Sequence, residues 1–291
     1  RGCEVWELPP NGQGMTALLA LNILEALPLA GAGEVDKLHM MMEAMKLAFA
    51  DALHYIADPA YMRVSPEDLL SKEYARARAA CITDRARVYA PGEPLRGDTV
   101  YFCAADGEGN SISMIQSLYE GFGSGVLVPG TGICLQNRGA CFSLAEGHAN
   151  VVAPRKYPYH TMENCVAPGK KPYHTIIPGF LTRDGKPLGP FGIMGGYMQP
   201  QAHMQVLVHL LDEGHNPQAA LDAPRFCWTD GLRFDMEPSF PHAVVDALRR
   251  RGHEIRVLSG GQYGRGQMIL RAGESWAGAT EPRADGSVIG F

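Results

Sequence analysis

Apolar residues recur at three- and four-residue spacing through the first third of the chain. Leu18, Leu19, Leu21 and Leu24 predict a helix capped by Asn11 and Gly12, in a run interrupted by Asn22, Glu25 and Pro28. A longer helix is predicted over Glu34–Ile56, where Leu38, Met41, Met42, Met45, Phe49, Leu53 and Ile56 keep the same period. Its methionine stripe reads as core packing, because an unbranched thioether fills irregular gaps between helices. Ser65-Pro66-Glu67-Asp68 has serine at the cap and proline at the first helical position, a helix start. Residues 1–98 therefore read as helical, ending in an irregular segment around Pro91, Pro94 and Gly97.

At Asp98-Thr99 the period drops to two. Thr99–Ala105 and Asn110–Leu118 predict two strands joined by the turn Asp106-Gly107-Glu108-Gly109, a β-hairpin. Glycine turns follow at Gly121–Gly125 and Pro129–Gly132. Further strands are predicted at Gly179–Thr182, Phe191–Met194, Gly264–Leu270 and Trp276–Thr280. Helices are predicted at Pro200–Glu213 and at Pro241–Arg251, the latter closed by Gly252, with a short one starting at Asn216-Pro217. Helices, strands, helices, strands is an α+β or layered α/β order. Pro154–Thr161 is repeated as Pro168–Thr175, too short a duplication for a structural repeat.

Composition narrows the function classes. The 291 residues are 46% hydrophobic and carry a net charge of −5, which fits a globular protein and argues against binding driven by nucleic-acid phosphates. No apolar run is long enough for a membrane-spanning helix. The seven cysteines are scattered without a CxxC pair, so they read as reduced and mostly buried, which points to the cytoplasm. The chain starts at Arg1 and opens mid-element, as a piece of a longer polypeptide would.

Metal chemistry has little support in the spacing. No HxH or HExxH occurs, and His203 and His209 are six residues apart, off a common helix face. Gly195-Gly196 and Gly121–Gly125 match neither phosphate-loop fingerprint, and no GxSxG elbow is present. Cys103 and Cys141 are candidate thiolates, although Cys103 sits in a strand like a small core residue. A threonine that opens a strand is ordinary. Thr99, however, lies where a helical half gives way to a β-rich half. If the Asp98–Thr99 bond were cut, its α-amine, with a pKa of about 7.7–8.0, would take the proton from its own Oγ.

Several of these motifs together resemble the γ-glutamyltranspeptidase family. The resemblance runs from Asp98–Asp106 and Gly109-Asn110 through Gly121–Gly125, Pro129–Gly132, Leu135–Arg138, Pro168–Pro172 and Gly195-Gly196 to Asp222–Phe226 and Glu281–Gly286. It implies an N-terminal-nucleophile hydrolase: an α+β, four-layer αββα sandwich that cleaves itself before the nucleophile. Residues 1–98 would be the C-terminal part of the large subunit and 99–291 the small subunit. The rest of the large subunit, with the arginine that grips the substrate α-carboxylate, would lie outside this chain. Pairing of such heterodimers into a homodimer is also within the resemblance.

The same resemblance implies roles by position. Thr99 matches the nucleophile and Ser117 a hydroxyl that holds the new amine. Gly195 and Gly196 match the oxyanion-hole pair, where each backbone donor is worth about 3–4 kcal/mol to the transition state. The substrate clamp departs from the family. Cys141, in Ala140-Cys141-Phe142, stands where an aspartate binds the glutamyl amine, removing a charge-assisted bond worth roughly 1.5–3 kcal/mol. His174-Thr175 replaces a serine pair, and Tyr119 replaces an asparagine. Arg138, after Asn137, is placed to bind a carboxylate. These changes resemble the acylase-like branch, with its cephalosporin acylases and oxamate amidohydrolase. The expected activity is hydrolysis or transfer of a small carboxylate-bearing amide through an acyl-threonine, with no metal or organic cofactor. A γ-glutamyl-type donor, an oxamate amidohydrolase or cephalosporin-type acylase activity, and an uncleaved, inactive scaffold remain as alternatives.

Overall fold

A computed structural model describes residues 2–89, 98–142 and 165–290, with Asp98 and Thr99 described by their backbone alone. The irregular segment at Pro91–Gly97 and the first copy of the duplication, Pro154–Thr161, lie outside these residues.

The helical first third forms as its periodicity predicts, with one addition. Helices α1 (Gly14–Glu25), α2 (Glu34–Tyr55), α3 (Pro66–Leu69) and α4 (Lys72–Ala79) are preceded by a short strand, β1 (Glu4–Trp6). Residue Gln13, not Asn11 or Gly12, caps α1. Ser65 and Ser71 each accept a backbone N–H at the starts of α3 and α4. Helix α2 is buried on almost every face from Leu38 to Leu53, so the methionines Met41, Met42 and Met45 are core residues.

The predicted hairpin is β2 (Asp98–Ala105) and β3 (Ser111–Tyr119), paired antiparallel. Its alternation is clean: Tyr101 and Ile115 face inward, while Val100, Phe102, Ile112 and Met114 are exposed. At the turn, Asp106 Oδ1 accepts the N–H groups of Glu108 and Asn110.

The main sheet has strand order β1, β4 (Gly179–Arg183), β5 (Lys186–Met194), β9 (Arg265–Ala272), β10 (Ser275–Thr280). Strand β5 begins earlier than predicted because Pro187 and Pro190 hide it. Both precede Phe191, where pairing with β9 starts, so the missing N–H groups cost no bond on that side. One face of the sheet packs on α5 (Met198–Leu207) and α6 (Pro217–Asp222) through Phe191, Ile193, Met198, Ala202, Leu221 and Met268. The other face carries the hairpin: a Cβ at Gly192 would sit 2.3 Å from the Tyr101 ring, so only glycine lets the two layers approach.

Besides β1, three strands went unpredicted. Strands β6 (Phe226–Asp230), β7 (Arg233–Met236) and β8 (Glu254–Val257) form a small separate sheet next to α7 (His242–Arg250), with β7 and β8 parallel. The helix expected to run to Glu213 ends at Leu207 and continues as a π-turn over Val208–Asp212. No disulfide joins the cysteines, and only Cys141 is fully buried; the other six, Cys103 in β2 and Cys227 in β6 among them, are half-buried.

Candidate active site

The hairpin is laid on the sheet in a definite direction. Ser113, opposite Cys103, donates to the Gly179 carbonyl at 2.8 Å and reaches that of Phe191 at 3.5 Å, whereas Tyr101 lies over Gly192. Tyr101 and Ser113 thus seat the hairpin over the Phe191–Gly192 part of β5, from which that strand runs on to Met194 and the turn Gly195-Gly196. The open end of the hairpin, away from its turn, is Asp98–Thr99.

At that end the ladder breaks. Thr99 pairs with Ser117 but Asp98 pairs with Tyr119, leaving Leu118 as an extra residue opposite the Asp98–Thr99 peptide. Such a bulge disrupts the ladder locally and re-aims the backbone. Tyr119 absorbs the distortion with φ +83°, a left-handed conformation that costs a non-glycine residue of the order of 1–3 kcal/mol. Ser117 Oγ accepts the Tyr119 N–H at 3.0 Å and helps to hold it.

From Tyr119 a chain of contacts leads back to the glycine turn. The Tyr119 ring lies under the Arg138 guanidinium, 5.4 Å from its centroid. Arg138 Nη1 donates to Thr175 Oγ1 at 2.8 Å. Gln13 Nε2 donates both to the Thr175 carbonyl and, at 2.9 Å, to that of Gly196. The turn has φ +133° at Gly195 and +59° at Gly196, and its carbonyls start α5 by accepting from Met198 and Gln199. Helix α5 thus presents its N-terminal end at this point, where a negative charge is favoured.

Electrostatically the cluster sets one buried cation among neutral groups, with the Glu120 carboxylate acting on Cys141 from nearby. Arg138 is 3% exposed, and among the described residues its Nη2 has no hydrogen-bond partner. Burial lowers its pKa, and the nearby Cys141, Tyr119 and Tyr197 partly restore it. Cys141 is fully buried and its thiol is pushed up to about 12 by desolvation, so it stays neutral. Burial, then the Arg138 charge, depresses His174 to about 4, so its imidazole is also neutral near pH 7. The His174 backbone pins the start of α1, accepting from Gln13 and donating to Asn11.

Tyr119, Arg138, Cys141 and Thr175 therefore gather around the hairpin end. Asn137 does not point there: its Oδ1 accepts the Glu120 N–H and its Nδ2 donates to the Glu120 carboxylate, fixing the loop that delivers Arg138.

Two motifs that carried no role in the sequence meet behind the glycine turn. Arg225 and Glu281, both fully buried, pair at 2.9 Å. Arg225 also donates to the carbonyls of Tyr263, Gly264 and Leu221. Arg283 bridges Glu281 and Glu237. Gly264 is the wall of Gly195, since a Cβ there would sit 3.2 Å from the Gly264 Cα. Neither this buttress nor Gln13 has a periodic or spacing signal; the order of the Asp222–Phe226 and Glu281–Gly286 motifs was the one hint.

Comparison with known proteins settles the family. The model for gamma-glutamyltranspeptidase matches residues 1–291. The chain belongs to the gamma-glutamyltranspeptidase family. A crystal structure of cephalosporin acylase from Bacillus halodurans superposes with a TM-score of 0.89 and is 51% identical, covering 100% of this chain and 52% of that one. The glutathione hydrolase-like YwrD proenzyme of Bacillus subtilis is 36% identical over 100% of this chain and 54% of its own length. The oxamate amidohydrolase proenzyme of Klebsiella pneumoniae is 33% identical over 99% of this chain and 53% of its own length. These relatives put the chain on the acylase-like branch of the gamma-glutamyltranspeptidase family, and the chain spans about half the length of each. The α+β content of the fold agrees with them. No helix among the described residues is long and apolar enough to cross a membrane.

Proposed function

We propose that this chain is the nucleophile-bearing part of a self-cleaving amidohydrolase or acyltransferase whose acyl donor carries a carboxylate. The observation that carries the reading is the bulge opposite the Asp98–Thr99 peptide, linked through Tyr119, Arg138, Thr175 and Gln13 to Gly196. Thr99 Oγ attacks the Asp98 carbonyl. The C–N bond breaks, the α-amine leaves, and water hydrolyses the resulting ester to an Asp98 carboxylate. In catalysis Thr99 Oγ attacks the substrate amide while its α-amine takes the proton and returns it to the leaving nitrogen. Gly195 and Gly196 N–H groups stabilise the oxyanion, and Ser117 supports the amine. Water or an acceptor amine releases the acyl group.

In this reading residues 1–98 end the large subunit and 99–291 form the small one. The helices, the five-stranded sheet and the hairpin are three layers. The exposed Val100, Phe102, Ile112 and Met114 ask for a fourth, supplied by the remainder of the large subunit, and the whole is then an αββα sandwich. Seven free thiols fit a reducing cytoplasm.

Substrate preference follows from charge. Arg138, whose buried Nη2 has no hydrogen-bond partner among the described residues, suits a carboxylate, and the neutral Cys141 offers no charge to an α-ammonium. A glutaryl amide, or oxamate as a shorter acid amide, should be preferred to a γ-glutamyl amide. In the complete polypeptide, kcat/KM for a glutaryl anilide should exceed that for the uncharged butyryl anilide. Arg138→Gln should shrink that ratio about 10- to 100-fold, the worth of one hydrogen bond to a charged group. A ratio unmoved by the substitution, or a preference for the γ-glutamyl anilide, would overturn the assignment.

Gly195→Ala tests the oxyanion hole. Its Cβ forces the peptide away from φ +133° and against Gly264. The expected loss is about 100- to 1,000-fold in kcat with KM little changed. A folded, cleaved variant with near-normal kcat would remove Gly195 from the mechanism.

A further inference from the structure

A second cluster of ligating side chains sits at the far end of α5 from the glycine turn. On a regular helix His209 and His215 would point about 120° apart. The π-turn over Val208–Asp212 changes this, with the Glu213 N–H reaching back to the Val208 carbonyl. Gly214 at φ +72° then reverses the chain, and the His215 N–H closes onto the His209 carbonyl at 3.0 Å. The two imidazoles stack, with centroids 5.5 Å apart and planes 6° from parallel.

Glu213 lies between them with its two oxygens assigned differently. Oε1 pairs with Lys37 of α2 at 2.5 Å. Oε2 faces His209 Nδ1 at 2.7 Å and His215 Nε2 at 3.7 Å. One ligand atom from each of the three residues lies within 4.8 Å of the others, and His215 opens the cluster to solvent with a side chain 40% exposed. A buried trio, His39, Glu43 and His253, is equally close together but differs in one respect. There Lys46 Nζ sits 2.5 Å from Oε1 of Glu43, the same oxygen that faces His253 at 4.0 Å. Both nitrogens of His39 are also engaged, with His253 and the Thr83 carbonyl. In that trio an ammonium already holds the place of a cation; at Glu213 the lysine takes the outer oxygen and leaves the inner one to the imidazoles.

We propose that His209, Glu213 and His215 bind a divalent transition-metal ion of the zinc class, with water completing the coordination. Two imidazole nitrogens and one carboxylate oxygen suit zinc, nickel or copper, whereas magnesium and calcium require mostly oxygen ligands. The ion clips the end of α5 to the loop before α6 and, through Glu213 and Lys37, to α2. It lies apart from the glycine turn and takes no part in the amide chemistry, so this assignment stands independently of the proposed function.

The test is calorimetric titration of the chelator-treated complete polypeptide with zinc chloride, in parallel with His215→Ala, His215→Gln and His209→Ala. Loss of an outer-shell partner alone weakens metal sites about 10- to 100-fold, so loss of a ligand should weaken this one by about 100-fold or more. The expected result is one equivalent of zinc bound by the wild type and lost in all three variants. Zinc should also raise the unfolding temperature of the wild type and leave that of His215→Ala unmoved, with amidase activity equal in both. No zinc binding by the wild type, or equal affinity and stoichiometry in wild type and variants, overturns the site.

Discussion

Replacing Thr99 with alanine in the complete polypeptide is expected to leave a single uncleaved chain with no measurable amidase activity. Loss of a hydroxyl nucleophile of this kind costs about 10⁶-fold in kcat, and here the same hydroxyl is also needed to create the amine base. Thr99→Ser should restore both cleavage and turnover, because serine keeps the attacking oxygen. The mature wild type should also lose activity as pH falls through about 7.7–8.0, since protonation of the α-amine removes the base. Mass spectrometry gives the decisive reading: the wild type should yield a fragment that begins at Thr99. An alanine variant that still splits at this bond would mean an external protease. A wild type that stays whole and inactive would favour the scaffold reading over the enzyme.

What makes this bond special was only half legible in the chain. The change of period at Asp98-Thr99 marks the strand, because alternation is a local property of one segment. The bulge at Leu118 and the left-handed Tyr119 depend on how two strands fall into register, and no single-strand pattern encodes that. Arg138 and Cys141 could be singled out by residue type. That Arg138 would be buried, its Nη2 without a partner among the described residues, beside a thiol held neutral, follows from packing against Tyr119 and Thr175. Strands β6, β7 and β8 were missed because charged residues break their apolar pattern (Asp230, Arg233, Asp235, Glu254 and Arg256), and β8 pairs in parallel across the intervening α7. The convergence of His209 and His215 was hidden because spacing arguments assume a regular helix, and the π-turn departs from one.

The buttress behind the glycines should matter almost as much as the nucleophile. Arg225→Met removes a fully buried guanidinium and leaves Glu281 Oε2 with only the Gly266 N–H at 2.8 Å, while Arg283 still pairs with Oε1. Breaking a buried pair costs about 3–5 kcal/mol where the remaining charge is uncompensated; with Arg283 still on Glu281 the lower end, about 3 kcal/mol, is expected. At about 2–4 °C per kcal/mol, the unfolding temperature should fall by roughly 6–12 °C. Arg225→Met with Glu281→Gln should regain part of that loss. The glutamine still accepts from Gly266 and carries no charge to bury, while Arg283 keeps its bond to Glu237. Activity should not recover in step. The carbonyls of Tyr263 and Gly264 have lost their donor in both variants, so the wall against Gly195 loosens and kcat stays low even where stability returns. Separate measurement of unfolding temperature and kcat in the single and double variants divides the two roles. If kcat recovers together with stability, Arg225 serves folding alone. If the single variant melts within about 2 °C of the wild type, the pair is not the buttress its burial implies.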